Sequence, residues 1–173
     1  MAVTEPRDQY IFENQDSIPT GIYNVINELL RNWDNVVEDE DTTYLDNVFL
    51  PDATLFLGPT KTVGLDNIKL MRRSMIHPTQ GPIVGVRHVF DRLYVLKKQG
   101  KPTMSKDVLF TGTVAYTIKG GEVVKEDFAT RSDLIEVAAG KYKIQYNRIF
   151  VDSENLNKAI TKLMIPSTRS SRL

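Results

Sequence analysis

The chain has no cysteine, which excludes disulfides, thiol nucleophiles and thiolate metal sites. Histidine is nearly as scarce. His77 and His88 are the only two, so a zinc site would need carboxylates at unusual spacing, and no metal or other cofactor is expected. Neither sign of charge predominates: 22 Lys and Arg balance 22 Asp and Glu, which removes the electrostatic reason to expect nucleic acid or an anionic membrane as partner. No apolar run reaches the roughly 18 residues that a membrane-spanning helix needs. The opening M-A-V-T-E-P-R-D-Q-Y lacks the apolar stretch of a signal peptide. The expected setting is intracellular and soluble.

What is present fits one ordinary domain. The 173 residues, 41% hydrophobic and 25% charged, suffice for a real core. Residues 1–18 are polar without clear period and read as a mobile N-terminal arm. With Thr20 as N-cap, Ile22, Val25, Ile26, Leu29, Leu30, Trp33, Val36 and Val37 recur at three- and four-residue steps, predicting an amphipathic helix of about four turns. The run Glu38-Asp39-Glu40-Asp41 interrupts this period as a solvated connection. A short second helix carries Tyr44, Leu45, Val48 and Phe49, a brief strand covers Ala53 to Leu57, and a third helix buries Leu65, Ile68, Met71 and Met75. On that helix Arg72-Arg73 read as a solvated face, and His77 beyond it as a surface residue.

From Val84 onward the pattern is β. Val84 to Leu96, Asp107 to Ile118, Val123 to Val137 and Lys141 to Val151 alternate or run apolar, with a tight turn at Lys119-Gly120-Gly121-Glu122. A last short helix spans Glu154 to Met164, and 165–173 is a flexible Pro/Ser/Arg tail. Helices first and antiparallel strands after predict an α+β fold, with three N-terminal helices packed on a curved, mostly antiparallel sheet. The domain proper is 19–164.

A two-residue turn at Gly120-Gly121 pairs Val114 with Asp127, Gly112 with Ala129 and Phe110 with Arg131. One face then holds Phe110, Gly112, Val114 and Tyr116 with Asp127, Ala129 and Arg131, an apolar wall with a few polar groups that suits a small-molecule pocket. A one-residue slip would exchange the two faces. On the neighbouring strand His88 alternates with Val86 and Phe90. His88 is the candidate acid–base group, its ordinary pKa lying near neutrality. The competing reading is a core histidine bonded to a backbone carbonyl. Arg131 is a candidate for holding a substrate oxygen, against an ion pair with Asp127 or Asp133; Asp127 for orienting His88 or Arg131, against a surface carboxylate; Tyr116 as an oxyanion donor, against a plain aromatic wall. Trp33, Phe90, Phe110 and Val114 would shape the cavity.

The pieces N-W-D-N-V-V-E-D-E-D, Y-L-D-N-V-F-L-P-D-A-T-L-F, V-G-L-D-N-I, V-R-H-V-F and G-K-Y-K-I-Q-Y-N-R-I-F-V-D, in this order over Ile22 to Asp152, resemble the nuclear transport factor 2-like superfamily, SnoaL-like branch. The resemblance implies a cone-shaped fold enclosing a pocket, with His88 in its wall. It also implies inward positions for Ala129 and Arg131, and for Lys143, Gln145 and Asn147 on the closing strand. Superfamily members include ketosteroid isomerases, polyketide cyclases, scytalone dehydratase and non-catalytic binding modules. The expected function is a cofactor-independent isomerase, cyclase or lyase of a small apolar oxygenated metabolite, as in natural-product biosynthesis; the alternative is a non-catalytic binding or dimerising module. Where scytalone dehydratase has water-positioning tyrosines, this chain has Val37 and Leu57, and it lacks that enzyme's second histidine, so scytalone itself is not the expected substrate. The outer sheet face, including Tyr142, Ile144 and Tyr146, is the expected homodimer surface. Ser171-Arg172-Leu173 resembles a peroxisomal address, and would direct the protein there in a eukaryote.

Overall fold

The computed structural model describes residues 9–36, 44–96 and 105–164. The acidic run at 38–41, Val37 and the C-terminal tripeptide lie outside these. The elements in chain order are α1 (Thr20–Asp34), α2 (Tyr44–Val48), β1 (Phe49–Leu57), β2 (Thr60–Val63), α3 (Leu65–Met75), β3 (Ile83–Leu96), β4 (Ser105–Ile118), β5 (Val123–Ala138), β6 (Lys141–Val151) and α4 (Glu154–Met164). No described helix is long and apolar enough to cross a membrane.

The six strands form one curved sheet in the order β2-β1-β6-β5-β4-β3. β3 to β6 make the antiparallel meander that the alternating sequence predicts. β1 joins β6 in parallel, so the chain begins and ends its sheet side by side. The sequence reading lacked β2, whose four residues are largely exposed. The apolar stripe of α1, from Ile22 to Trp33, packs over β6 and β3 and joins one buried core with Phe110, Val114, Leu134 and Ile144. At about 25 cal/mol per Å² of apolar surface, this burial is the main stabilising term.

Two expectations are corrected by burial. Residues 9–18 are no loose arm. Tyr10 and Phe12 are each 1% exposed, and Phe12 packs on Phe90 with ring centroids 5.1 Å apart. The Asn14 side chain donates to Leu93 O at 2.8 Å and accepts from Leu93 N–H at 3.1 Å, while Glu13 N–H donates to Asp91 O at 2.7 Å. Arg72 is no surface cation. It is buried, and its guanidinium donates to Asn32 O at 2.7 Å and Asn35 O at 2.5 Å. A cation on the last carbonyls of a helix meets the negative end of its dipole. Arg72 therefore fixes the C-terminus of α1, where Trp33 and Asp34 sit. Thr20, the expected cap, is the first helical residue, with Pro19 in the capping position.

β3 and β4 shift register between Phe90 and Leu93, opposite Gly112 and Phe110. Gly112 permits the close approach there: a Cβ at this position would lie 2.1 Å from Val89 O and 3.1 Å from the Phe128 ring. A backbone oxygen inside a strand pair cannot retreat as a side chain can. Gly112→Ala is expected to cost about 3 kcal/mol, read as a lowered denaturation midpoint with unchanged slope.

Candidate functional site

The last turn of α1 and the middle of β3 meet over the inner sheet face. Asp34 Oδ1 lies 2.5 Å from His88 Nδ1, with only 7% and 14% of the two side chains exposed. The second oxygen, Oδ2, accepts the backbone N–H of His88 at 2.9 Å and the Tyr10 hydroxyl at 2.6 Å. A buried carboxylate is tolerable only with such partners. The imidazole is held between Phe90, stacked at 5.8 Å, and Phe128, edge-on at 5.3 Å. With Nδ1–H donated to a carboxylate, the neutral ring keeps its lone pair on Nε2. The pair can therefore take a proton at Nε2 and hold the resulting imidazolium against Asp34.

His88 lines a cavity of about 50 Å³, together with Trp33, Phe110, Val114, Tyr116, Asn147, Phe128 and Thr130. The structure thus brings together six of the residues singled out in the sequence: His88, Tyr116, Trp33, Phe110, Val114 and Asn147. Phe90 stands behind the imidazole instead of in the wall.

The β5 candidates are elsewhere. The hairpin loop has three residues, so Thr117 pairs with Val123 and Val114 with Glu126, and Ile118 N–H donates to Glu122 O at 2.8 Å. Gly120 and Gly121 both take positive φ there. Relative to a two-residue turn, every β5 side chain moves to the opposite face. Glu126, Phe128, Thr130 and Ser132 face inward, and Asp127, Ala129 and Arg131 outward. Arg131 donates from Nε and Nη2 to the Asp107 carboxylate at 3.2 and 2.8 Å, and that hydrogen-bonded anion raises its pKa above the ordinary arginine value. Asp127 accepts from the Thr113 hydroxyl at 3.2 Å on the same outer face.

A second irregularity corrects β6. Asp133 pairs with Tyr146 but Leu134 with Ile144, leaving Gln145 as the extra residue of a bulge. Ile144 and Asn147 consequently both face inward. Ile144 is fully buried and not part of an outer surface, while Gln145 turns its amide toward Asp52 O at 3.5 Å. Lys143 donates to Asp46 O at 2.7 Å, also away from the cavity. His77 is 3% exposed. Its Nδ1 accepts the backbone N–H groups of Thr79 and Gln80 at 3.2 and 3.0 Å, so it orders the loop before β3.

Asp34 and Tyr10 are absent from the sequence-based candidates. Asp34 had a signal: it lies four residues after Leu30 and eight after Ile26, on the stripe where the helical period calls for an apolar residue. Tyr10 had none, because its partners lie 24 and 20 residues away. Trp33 and Asn147 line the cavity, but their nitrogens Nε1 and Nδ2 are buried away from solvent with no hydrogen-bond partner among the described residues. Burial pushes the Tyr116 phenol up to about 12, helped by the negative charges of Glu126 and Asp34. Its hydroxyl therefore stays a neutral donor.

No protein-family model and no curated protein matches the sequence. Solved structures do. The chain is similar to LinA type 2, a hexachlorocyclohexane dehydrochlorinase (11% identity, 77% of this chain and 84% of that chain, TM-score 0.62). It is similar to a nuclear transport factor 2-like superfamily protein from Salmonella enterica (12%, 78% and 91%, TM-score 0.60). It is also similar to nuclear transport factor 2 from Cryptosporidium parvum (17%, 83% and 99%, TM-score 0.56). At these identities the likeness establishes a shared fold, the nuclear transport factor 2-like cone.

Tyr116 supplies a pH test. Its folded pKa lies above the unfolded value near 10, so the stabilisation it gives is complete below about pH 10 and is lost as pH rises toward about 12. Ultraviolet titration should show late-ionising phenol in this range, and Tyr116→Phe should remove one phenol's share of it while flattening the corresponding fall in stability.

Proposed function

We propose that this chain is a cofactor-independent enzyme that takes a proton from carbon on a small, neutral, largely apolar substrate, with isomerisation, cyclisation or elimination as the outcome. The observation that carries the reading is the contact of Asp34 with His88 Nδ1 in the wall of an apolar cavity. His88 Nε2 is the base. As the C–H bond breaks, its electron pair moves into the neighbouring carbon–carbon bond, either expelling a leaving group or shifting charge onto a conjugated oxygen. Asp34 holds the imidazolium, and Tyr10 holds Asp34. The Tyr116 hydroxyl is available as a neutral donor to the developing charge. With Arg131 outside, the described residues of the cavity wall include no cation, which favours a neutral substrate. The dehydrochlorinase named above carries out an elimination, and its fold is shared here.

The cavity of about 50 Å³ is small beside the roughly 300–1,000 Å³ of typical ligand sites. That favours a compact substrate, and it equally suits the second reading, a non-catalytic binding module. The two separate by activity. In D2O, small carbon acids such as nitroethane, together with halogenated and carbonyl compounds of similar size, are followed by NMR for solvent exchange or elimination. His88→Gln and Asp34→Asn are expected to slow the accelerated reaction by about 10²–10⁴-fold. If no compound reacts faster with the wild-type protein than with His88→Gln, the enzymatic reading fails.

The outer sheet face is proposed as the surface for a second copy of the chain. Phe150, Val89 and Tyr94 are exposed there, and the Arg148 guanidinium lies 5.3 and 5.1 Å from the ring centroids of Phe56 and Phe150. Sedimentation should give a dimer for the wild-type protein and a monomer for Phe150→Glu; a wild-type monomer at micromolar concentration would remove this proposal.

A further inference from the structure

Asp34 Oδ1 meets His88 Nδ1, while Oδ2 accepts the Tyr10 hydroxyl at 2.6 Å and the His88 backbone N–H at 2.9 Å. A phenol has one proton to give. Leu30 O, 3.4 Å from the same hydroxyl, is too distant to claim that proton against the carboxylate. Tyr10 and the His88 ring therefore draw on a single negative charge, one at each oxygen. Each donor stabilises the anion and leaves less of its charge for the other.

The phenol is fixed in that position through its backbone and its ring. Tyr10 N–H donates to Asn27 Oδ1 at 2.9 Å, and Tyr10 O accepts from the Tyr23 hydroxyl at 3.0 Å. Tyr23 and Asn27 lie one turn apart on α1, the helix that also carries Asp34. The Tyr10 ring stands edge-on to Phe90 at 5.3 Å, and Phe90 stacks on the His88 imidazole. Tyr10 is 1% exposed and does not line the cavity, so it reaches the chemistry only through Asp34. Three other charged or titratable groups surround the pair. Arg72 of α3 binds Asn32 O and Asn35 O, on either side of Asp34, and the Tyr116 phenol of β4 feels the charges of Asp34 and of Glu126 on β5. All three stay in place when the Tyr10 hydroxyl alone is removed.

We propose that Tyr10 is a positioning residue that moderates His88: its hydroxyl takes up part of the Asp34 charge, so that the imidazole stays neutral and ready to accept a proton. Without the hydroxyl, Asp34 pulls harder on the Nδ1–H of His88. Nε2 then becomes a stronger base, and for the same reason it already holds a proton more of the time. Tyr10 thus trades the strength of the base for its availability. The consequence for turnover rests on the proposed enzymatic reading; the consequence for the Asp34–His88 hydrogen bond does not.

The chain has two histidines, so full-length protein labelled with ¹⁵N-histidine gives two ring systems. They are told apart by tautomer. His77 Nδ1 accepts two backbone N–H groups, which puts its proton on Nε2, whereas His88 donates from Nδ1 to Asp34. Tyr10→Phe keeps the ring against Phe90 and removes only the hydroxyl. The His88 Nδ1–H resonance is expected to move downfield, as a stronger hydrogen bond requires, with His77 unmoved. If that variant does not fold, Asn27→Ala, which loosens the backbone of Tyr10, is measured in its place with the same direction expected. With whichever carbon acid exchanges in D2O on the wild-type protein, Tyr10→Phe should be about threefold faster at alkaline pH, where the imidazole is neutral, and slower on the acid side of neutrality. A resonance that stays in place would mean that the hydroxyl does not compete for the carboxylate, and would overturn the proposal. So would an upfield shift, or a rate that falls equally at every pH, the marks of a residue that only holds the site together. A downfield shift without any His88-dependent turnover would uphold the role of Tyr10 and sink the enzyme reading; His88-dependent turnover with the resonance unmoved would do the reverse.

Discussion

Asp34 is a carboxylate with little access to water, and its two oxygens accept three hydrogen bonds, from a ring nitrogen, a backbone amide and a phenol. Burying such a charge without partners would cost far more than a domain of this size can spare. Everything that supplies a partner must therefore be in place together. α1 must end where Arg72 fastens its last carbonyls, β3 must present both the amide and the ring of His88, and residues 9–12 must cross α1 to deliver Tyr10. The site is a junction of three segments distant in sequence, and its geometry is as good as the packing of each.

That non-local origin explains what could be read in advance. Element types followed from local pattern: the stripe from Ile22 to Trp33 is helical by its period, and the alternation after Val84 is β. Cavity residues on α1, β3 and β4 were legible for the same reason. The errors lie where one residue more or less reverses a face. A three-residue hairpin loop sent Arg131 and Asp127 outward and brought Phe128 and Thr130 in; a bulge at Gln145 turned Ile144 inward beside Asn147. Both effects are decided by backbone geometry that composition does not encode. Arg72 and His77 were misplaced for a different reason. Polar residues default to the surface, and only the fold reveals the helix end or loop amides that keep them inside.

The corrections also change the electrical character of the cavity. With an inward Arg131, the pocket would have been a cationic site for an anion. Without it, the titratable groups in or beside the wall are a histidine held by a carboxylate, a tyrosine kept neutral by burial and a second carboxylate, Glu126, on the same face. Such a wall offers a ligand dipoles and shape, and in the proposed reaction its charge is reserved for the proton that moves.

Residues 9–18 have a further consequence. β3 is an edge of the sheet, and an open edge is a template on which a foreign strand can pair. Glu13 and Asn14 occupy part of that edge by bonding Asp91 and Leu93, and Tyr10, in the same short segment, holds Asp34. One stretch of chain thus covers part of the sheet edge and holds Asp34 in place. A cleavage within it would loosen the support of Asp34 and uncover an unpaired strand edge in a single event.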